Sequence, residues 1–303
     1  MARYYLPSTG MALFLTVAML LGGSPATATE TGDQAASDTP TWQLDQINVV
    51  RSLVAKSLRT GAPAPERIAT DLGVAGGHAA AVGLAELLDR GGRSARLPAL
   101  QAAQRIALRS TPLAQALREV VRTGEPEERT AAVMALGTIG DGRDVGLVLA
   151  LAASERGSAR TVCFDALRAI TGADLPPSAA RWHRHCETAR QRAALLLPPM
   201  LDRMESMPDE SDPAPDLRRI AQSAWAAPEL IHEAIGAWLY SPNRRLREAA
   251  LVLVADLRLA DFAQRVERTA RHVSGGKLVD AARRAQSVLG AADHSEADAI
   301  RTR

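Results

Sequence analysis

Residues 126–172 read PEERTAAVMALGTIGDGRDVGLVLALAASERGSARTVCFDALRAITG, and within them one pattern ends and the same pattern begins again. Counted from Arg129 it runs Arg129, Ala131, Ala132, Ala135, Leu136, Ile139, Gly140. Counted from Arg160 it runs Arg160, Val162, Cys163, Ala166, Leu167, Ile170, with Gly172 one place late. The two copies lie 31 residues apart. At about 100° of rotation per residue, the apolar members of each copy fall on one helix face roughly 140° wide, with Thr138 or Arg168 outside it. One helix of this length cannot bury such a face alone, so a fixed short period points to stacked units whose neighbours complete the core. The spacing predicts an all-α fold: an α-α superhelix, a solenoid of stacked helical hairpins.

Small Ala131, Ala132 and Ala135 let the next helix approach closely, and Leu136 and Ile139 fill the space between. Gly140 and the following Asp141-Gly142-Arg143-Asp144 supply a stop, a tight turn and an N-cap for the second helix of the hairpin. The phrase Arg-x-Ala-Ala-x-x-Ala-Leu-x-x-Ile-Gly-Asp from Arg129 resembles the first helix and turn of a HEAT repeat, above all the short HEAT-like form also found in phycobilisome lyases. Ile170-Thr171-Gly172-Ala173-Asp174 followed by Trp182 is similar to the end of such arrays in some bacterial members. The resemblance is strong over 126–187 and weaker outside, and the units are nearer 30 residues than the roughly 40 or more of most HEAT repeats.

Residues 1–28 read as an address rather than a structural segment. Arg3 gives a thin positive start, Met11–Gly23 an apolar run, and Ala26-Thr27-Ala28 the small-x-small pattern of a secretory signal peptide cut after Ala28. Thirteen mostly apolar residues fall short of the roughly 20 that span a bilayer, so no membrane anchor is expected after cleavage. Residues 29–40 are polar and without period, a disordered lead. The array is expected over 41–205, opening on an amphipathic cap helix that ends at Gly61, with hairpins over Glu66–Leu88 and Leu97–Val121. A long helix is expected over Pro177–Met204, kinked or broken at Pro198-Pro199. Residues 206–216, with three Pro and four acidic residues in eleven positions, read as a linker that divides the array. The pattern returns over 217–290 in Arg247, Ala249, Ala250, Leu253, Val254 and Leu257, and 32 residues on in Val279, Ala281, Ala282, Ala285 and Leu289; 291–303 form a flexible tail.

Motifs that carry chemistry are missing from the sequence. There is no G-x-S-x-G, no phosphate loop ending in G-K-[ST], no H-E-x-x-H and no C-x-x-C pair. His183-Arg184-His185-Cys186 gathers three potential metal ligands, yet on a helix His185 points about 160° from His183, and zinc needs three or four converging groups. Neither a metal, a cofactor nor a catalytic residue is therefore expected. Cys163 and Cys186 flank the turn between Ala173 and Pro177 at nearly equal distance, and an exported chain with two cysteines predicts a disulfide between them. Residues 90–122 carry seven Arg against Glu119, and 243–284 carry nine Arg and Lys277 against five acids, but the net charge is +2 and export argues against a nucleic-acid partner.

Val145–Ala153 (VGLVLALAA) is apolar on every side. Either neighbouring helices bury it, or Val145, Leu147, Val148, Leu149 and Leu151 form an apolar surface where a partner protein docks. The leading expectation is thus an exported, non-catalytic scaffold for protein–protein interaction. The resemblance to lyase-type repeats implies the alternative of an enzyme accessory, and the basic stretches leave a nucleic-acid-binding solenoid as a third reading. The intact mass of the exported protein is expected to correspond to a chain beginning at Thr29; a mass retaining Met11–Gly23 would contradict the signal peptide.

Overall fold

The computed structural model describes residues 42–61, 63–208, 211–272 and 276–290; the expected signal peptide, the lead at 29–40 and the tail at 291–303 lie outside the described residues. The described chain is all-α, with no strand and one isolated β-bridge. Its helices are α1 (Trp42–Thr60), α2 (Pro65–Ala75), α3 (Gly77–Arg90), α4 (Arg93–Ile106), α5 (Thr111–Thr123), α6 (Pro126–Ile139), α7 (Gly142–Ser154) and α8 (Gly157–Thr171). They continue as α9 (Ala179–Ser206), α10 (Ala214–Ser223), α11 (Pro228–Trp238), α12 (Arg244–Leu257), a 3₁₀ turn η1 (Ala260–Phe262), α13 (Ala263–Arg271) and α14 (Lys277–Leu289).

Local chemistry sets the boundaries. Pro126 opens α6 where a missing N–H costs nothing, and Glu125 and Glu128 exchange side-chain hydrogen bonds with each other's backbone in a capping box. At α7 the same device is built from Asp141, which accepts the Arg143 N–H, and Asp144, which accepts the Asp141 N–H at 2.9 Å. The cap is Asp141, three residues before the acid that completes the box. Gly172 ends α8 in the left-handed region at φ 70°.

The repeat seen in the sequence becomes two layers. Helices α2, α4, α6 and α8 stack side by side, and α1, α3 and α5 form the second layer; of the consecutive helices, α2 packs on α3, α3 on α4, α5 on α6 and α7 on α8, so the hairpin expected over Leu97–Val121 is replaced by pairing of α4 with α3 and of α5 with α6. Alanine and glycine permit the close stacking: a Cβ on Gly137 of α6 would stand 3.0 Å from the Ala166 backbone of α8. Polar rungs join successive units at the rim, with Arg93 to Glu125 at 3.6 Å, Arg96 to Glu128 at 3.8 Å and Arg129 to Glu155 at 2.8 Å.

Part of the segment expected as a linker at 206–216 is taken up by helix ends. Helix α9 runs unbroken to Ser206 through Pro198 and Pro199, α10 begins at Ala214, and Asp216, expected in the linker, is buried beside Arg203 at 3.5 Å. The two prolines deprive the carbonyls of Ala194 and Leu195 of their helical donors, but both residues are exposed, so water can satisfy them and the helix need not break. Helix α9 packs on α7 and α10; α10, α12 and α14 continue the stacking, with α11 and α13 as the second helices.

The chain then closes on its own beginning. η1 and α14 lie against α3, the Arg109 N–H donates to the Arg258 carbonyl at 2.9 Å, and the Ala260 N–H donates to the Arg109 carbonyl at 2.8 Å. Asp261 accepts both the Thr111 N–H at 3.0 Å and the Thr111 hydroxyl at 2.5 Å across 150 positions of sequence. Among the described residues the two non-glycine residues with positive φ, Ala107 at 51° and Arg258 at 53°, both flank this clasp. A left-handed conformation costs an L-residue about 1–2 kcal/mol, so the clasp is held by its neighbours against local strain.

A second seam lies at the start of α7. Asp144 is fully buried and accepts Arg118 Nε at 2.5 Å, while Arg143 lies across Asp141 and reaches Glu229 of α11 at 3.9 Å. Burial pushes the Asp141 carboxyl up, and the hydrogen bonds and charge of Arg143, with Arg109 behind, outweigh that and hold it below the usual range. Arg143 therefore does more than close a turn. Leu136, buried on the repeated face, is expected to cost about 2–5 kcal/mol when cut to Ala. Arg143→Ala is expected to cost about 1 kcal/mol, its hydrogen bonds to a buried carboxylate being partly screened by solvent. Urea unfolding midpoints of the two variants check both, and equal shifts would contradict the register.

Candidate functional site

Helix α9 brings together three residues far apart in chemistry. Its inward face carries Trp182, Cys186, Ala193 and Leu197, all buried, and Trp182 Nε1 donates to the Pro176 carbonyl at 3.1 Å, which pins the start of the helix. One step round, the His185 ring stands edge-on to Trp182 at 6.1 Å and nearly parallel to Trp225 at 6.2 Å. Trp225 belongs to the turn after α10, and that turn is seated against the first residue of α7, because a Cβ on Gly142 would collide with the Trp225 carbonyl. Arg190 completes the junction by donating Nη2 to the Gly142 carbonyl at 2.9 Å.

Between α9 and the end of α10 this junction leaves a groove of about 230 Å³. His185, Ala189, Leu196, Gln222 and Trp225 wall it, and Arg192 is the one permanent charge in its lining, with no carboxylate among the described residues there. Leu196 of this lining is 59% exposed and Leu195 before it in sequence 75%, while Leu197, next in sequence, is fully buried. Small-molecule pockets commonly run from about 300 to 1,000 Å³, so this volume suits one or two bulky side chains rather than a cofactor.

The apolar run of α7 sits differently from a free surface. Val145 and Val148 are buried, and Leu147, Leu149 and Leu151 are half-buried and packed against the core, with α8 on one side and α9 on another. Among these residues the chain itself supplies cover. The exposed leucines are instead a helix away on α9, at positions that lie outside its buried stripe.

Cys163 and Cys186 are both buried and both free thiols in the structure. The expected bridge assumed that the helices either side of the turn pack as a hairpin; α9 instead leans on α7, which removes the reason to place the two sulfurs at one level. Burial pushes the Cys163 thiol up to about 11, with Glu155 adding to the shift, and burial raises Cys186 more than Arg190 lowers it. Neither thiol is activated. In the neighbouring cluster His183 pairs with Glu187 at 3.7 Å on the exposed side, His185 lies edge-on to Trp182 and stacked on Trp225, and Cys186 faces the core, so the three diverge. Among the described residues no three His, Cys, Asp or Glu side chains are placed to hold a metal ion.

Most of the first basic stretch is engaged internally. Arg93, Arg96, Arg118 and Arg122 form ion pairs, and Arg109 is half-buried, with the charges of Asp141 and Asp144 acting on its guanidinium. Sequence reading missed Trp225, Asp261 and Thr111 as organising residues, because none belongs to a repeat phrase. Among the described residues no helix is long and apolar enough to cross a membrane.

Thiol titration of the denatured, unreduced protein is expected to return two thiols per chain; none, in a protein that is monomeric on a non-reducing gel, would show that the bridge forms. Comparison with family models, curated proteins and solved structures gives no match, so the groove has to be judged on its own chemistry.

Proposed function

We propose that this chain is an exported, HEAT-like scaffold without catalytic activity, and that it binds a protein segment in the groove between α9 and α10. The observation that carries the reading is an exposed leucine, Leu196, in the wall of an open groove that also holds an indole and a single cation, with exposed Leu195 next to it in sequence. Exposed apolar side chains grouped at the rim of a concave site mark interaction surfaces far more often than they do scattered over a helix. Aromatic and arginine side chains are the residue types enriched where such contacts carry energy. The occupant that fits is an extended or helical stretch presenting one bulky apolar side chain next to a carboxylate, the first for Trp225 and Leu196, the second for Arg192.

The reading as an enzyme accessory holding a chromophore-sized ligand is less well supported, since the apolar groove falls below the volume range of ligand pockets. A nucleic-acid face drawing on 90–122 would compete with the ion pairs those arginines already make.

Panning a random peptide library against the immobilised chain tests the proposal. Enriched peptides are expected to share an apolar residue beside Asp or Glu, and Leu196→Asp and Arg192→Glu are each expected to weaken their binding by about tenfold or more while leaving the thermal midpoint unchanged. Peptides that bind wild type and both variants alike would refute it.

A further inference from the structure

The proline pair in α9 leaves a mark on the helix surface that the groove itself does not use. A helical carbonyl accepts from the N–H four residues on or, in a tighter turn, from the N–H three residues on. For Leu195 those two positions are Pro199 and Pro198, and neither has an N–H to give; Ala194 loses Pro198 in the same way but keeps Leu197 for a tighter turn. The helix nevertheless runs on to Ser206. Leu195 thus carries a carbonyl stripped of both its usual helical donors inside an unbroken helix, on a residue that is 75% exposed.

The surface around this acceptor is apolar on one side and anionic on the other. At about 100° per residue, Pro198 and Pro199 stand within roughly 60° of Leu195 around the helix, and all three are exposed. Seven residues on from Leu195, exposed Asp202 returns to within about 20° of the same direction. Among the described residues Asp202 makes no ion pair, the cation beside it in sequence, Arg203, being paired with Asp216. Helical carbonyls are directed toward the C-terminal end and side chains lean toward the N-terminal end, so the Leu195 carbonyl and Asp202 bear on one stretch of surface, over the two proline rings. A partial negative charge and a full one beside an apolar shelf complement a cation carried on an aliphatic stem.

We infer that this face of α9 receives a basic side chain, an arginine or lysine of the protein segment that enters the groove, its charged nitrogen donating to the Leu195 carbonyl and facing Asp202 while its stem lies on Pro198 and Pro199. The inference rests on the reading of the groove as a site for a protein segment and adds a requirement to it. Besides an apolar residue for Leu196 and an acid for Arg192, the segment carries a base farther toward the C-terminal end of α9.

The test takes the peptide most enriched by panning on the wild-type chain and measures its binding to the full chain by titration calorimetry. That peptide is expected to contain Lys or Arg, and replacing this residue with Ala is expected to weaken binding by roughly tenfold, the loss of one charge-assisted hydrogen bond. Pro199→Ala returns an N–H donor to the Leu195 carbonyl, favours the helix and leaves every charge in place. It is expected to weaken the unaltered peptide by a similar factor without lowering the thermal midpoint. Because both changes remove one contact, they are expected not to add, so that the peptide lacking its cation binds wild type and Pro199→Ala alike. Additive losses would assign the effect to the proline ring and overturn the inference. Asp202→Asn is expected to weaken the unaltered peptide several-fold, and less so at high salt. A peptide without a basic residue, whose binding falls in Leu196→Asp and holds in Pro199→Ala and Asp202→Asn, would overturn this inference and leave the groove reading standing; no enriched peptide at all would overturn both.

Discussion

A helix that is apolar around most of its circumference has to be covered on more than one side, and α3 makes that demand on the whole chain. Ten of its residues are buried, from Gly77 and Ala79 through Leu88, leaving little of it for solvent. Its hairpin partners α2 and α4 and its layer neighbours α1 and α5 take part of the surface, and η1 with α14 takes more from the other side. An array with an amphipathic inner layer could remain open. This one has to return, and the clasp at Arg109, Thr111, Arg258 and Asp261 is where the return is fastened.

How far the sequence disclosed this depends on the range of the interaction. The phrase beginning at Arg129 and repeated at Arg160 is legible because helical periodicity is local: Ala132, Ala135 and Leu136 declare a face whatever lies beyond it, and α6 and α8 stand where the phrase puts them. Of the kink or break expected at Pro198-Pro199 the break does not occur, because a proline pair argues for one only when the freed carbonyls are buried, and burial is not written in the dipeptide. Within the acidic stretch at 206–216, Asp216 shows a related limit. Asp216 looks like linker chemistry until Arg203, one helix earlier, is seen beside it.

The groove was less legible than the fold. Trp225 lies in a turn between helices, so no period marks it, and its meaning comes from meeting His185, forty residues earlier, and Gly142 on a third element. VGLVLALAA at 145–153 announced hydrophobicity but not its partner. Composition alone cannot tell a helix waiting for another protein from one whose cover arrives later in the same chain. Arg143 shows the same limit in polar form: a turn residue by position, it is tied to Glu229 by tertiary structure.

The clasp also alters how the molecule would bear a load. A solenoid that touches only its neighbours behaves as a spring, and traction on its ends opens it one hairpin after another, each giving way at low force. Joining Arg109 to Leu259 places a rivet across that spring. Tension entering at α1 and leaving at α14 is shared with the contacts of η1 and α14 on α3, so the hairpins between are sheltered until those contacts part. Extension would then begin with one abrupt release and a long gain in contour, in place of a staircase.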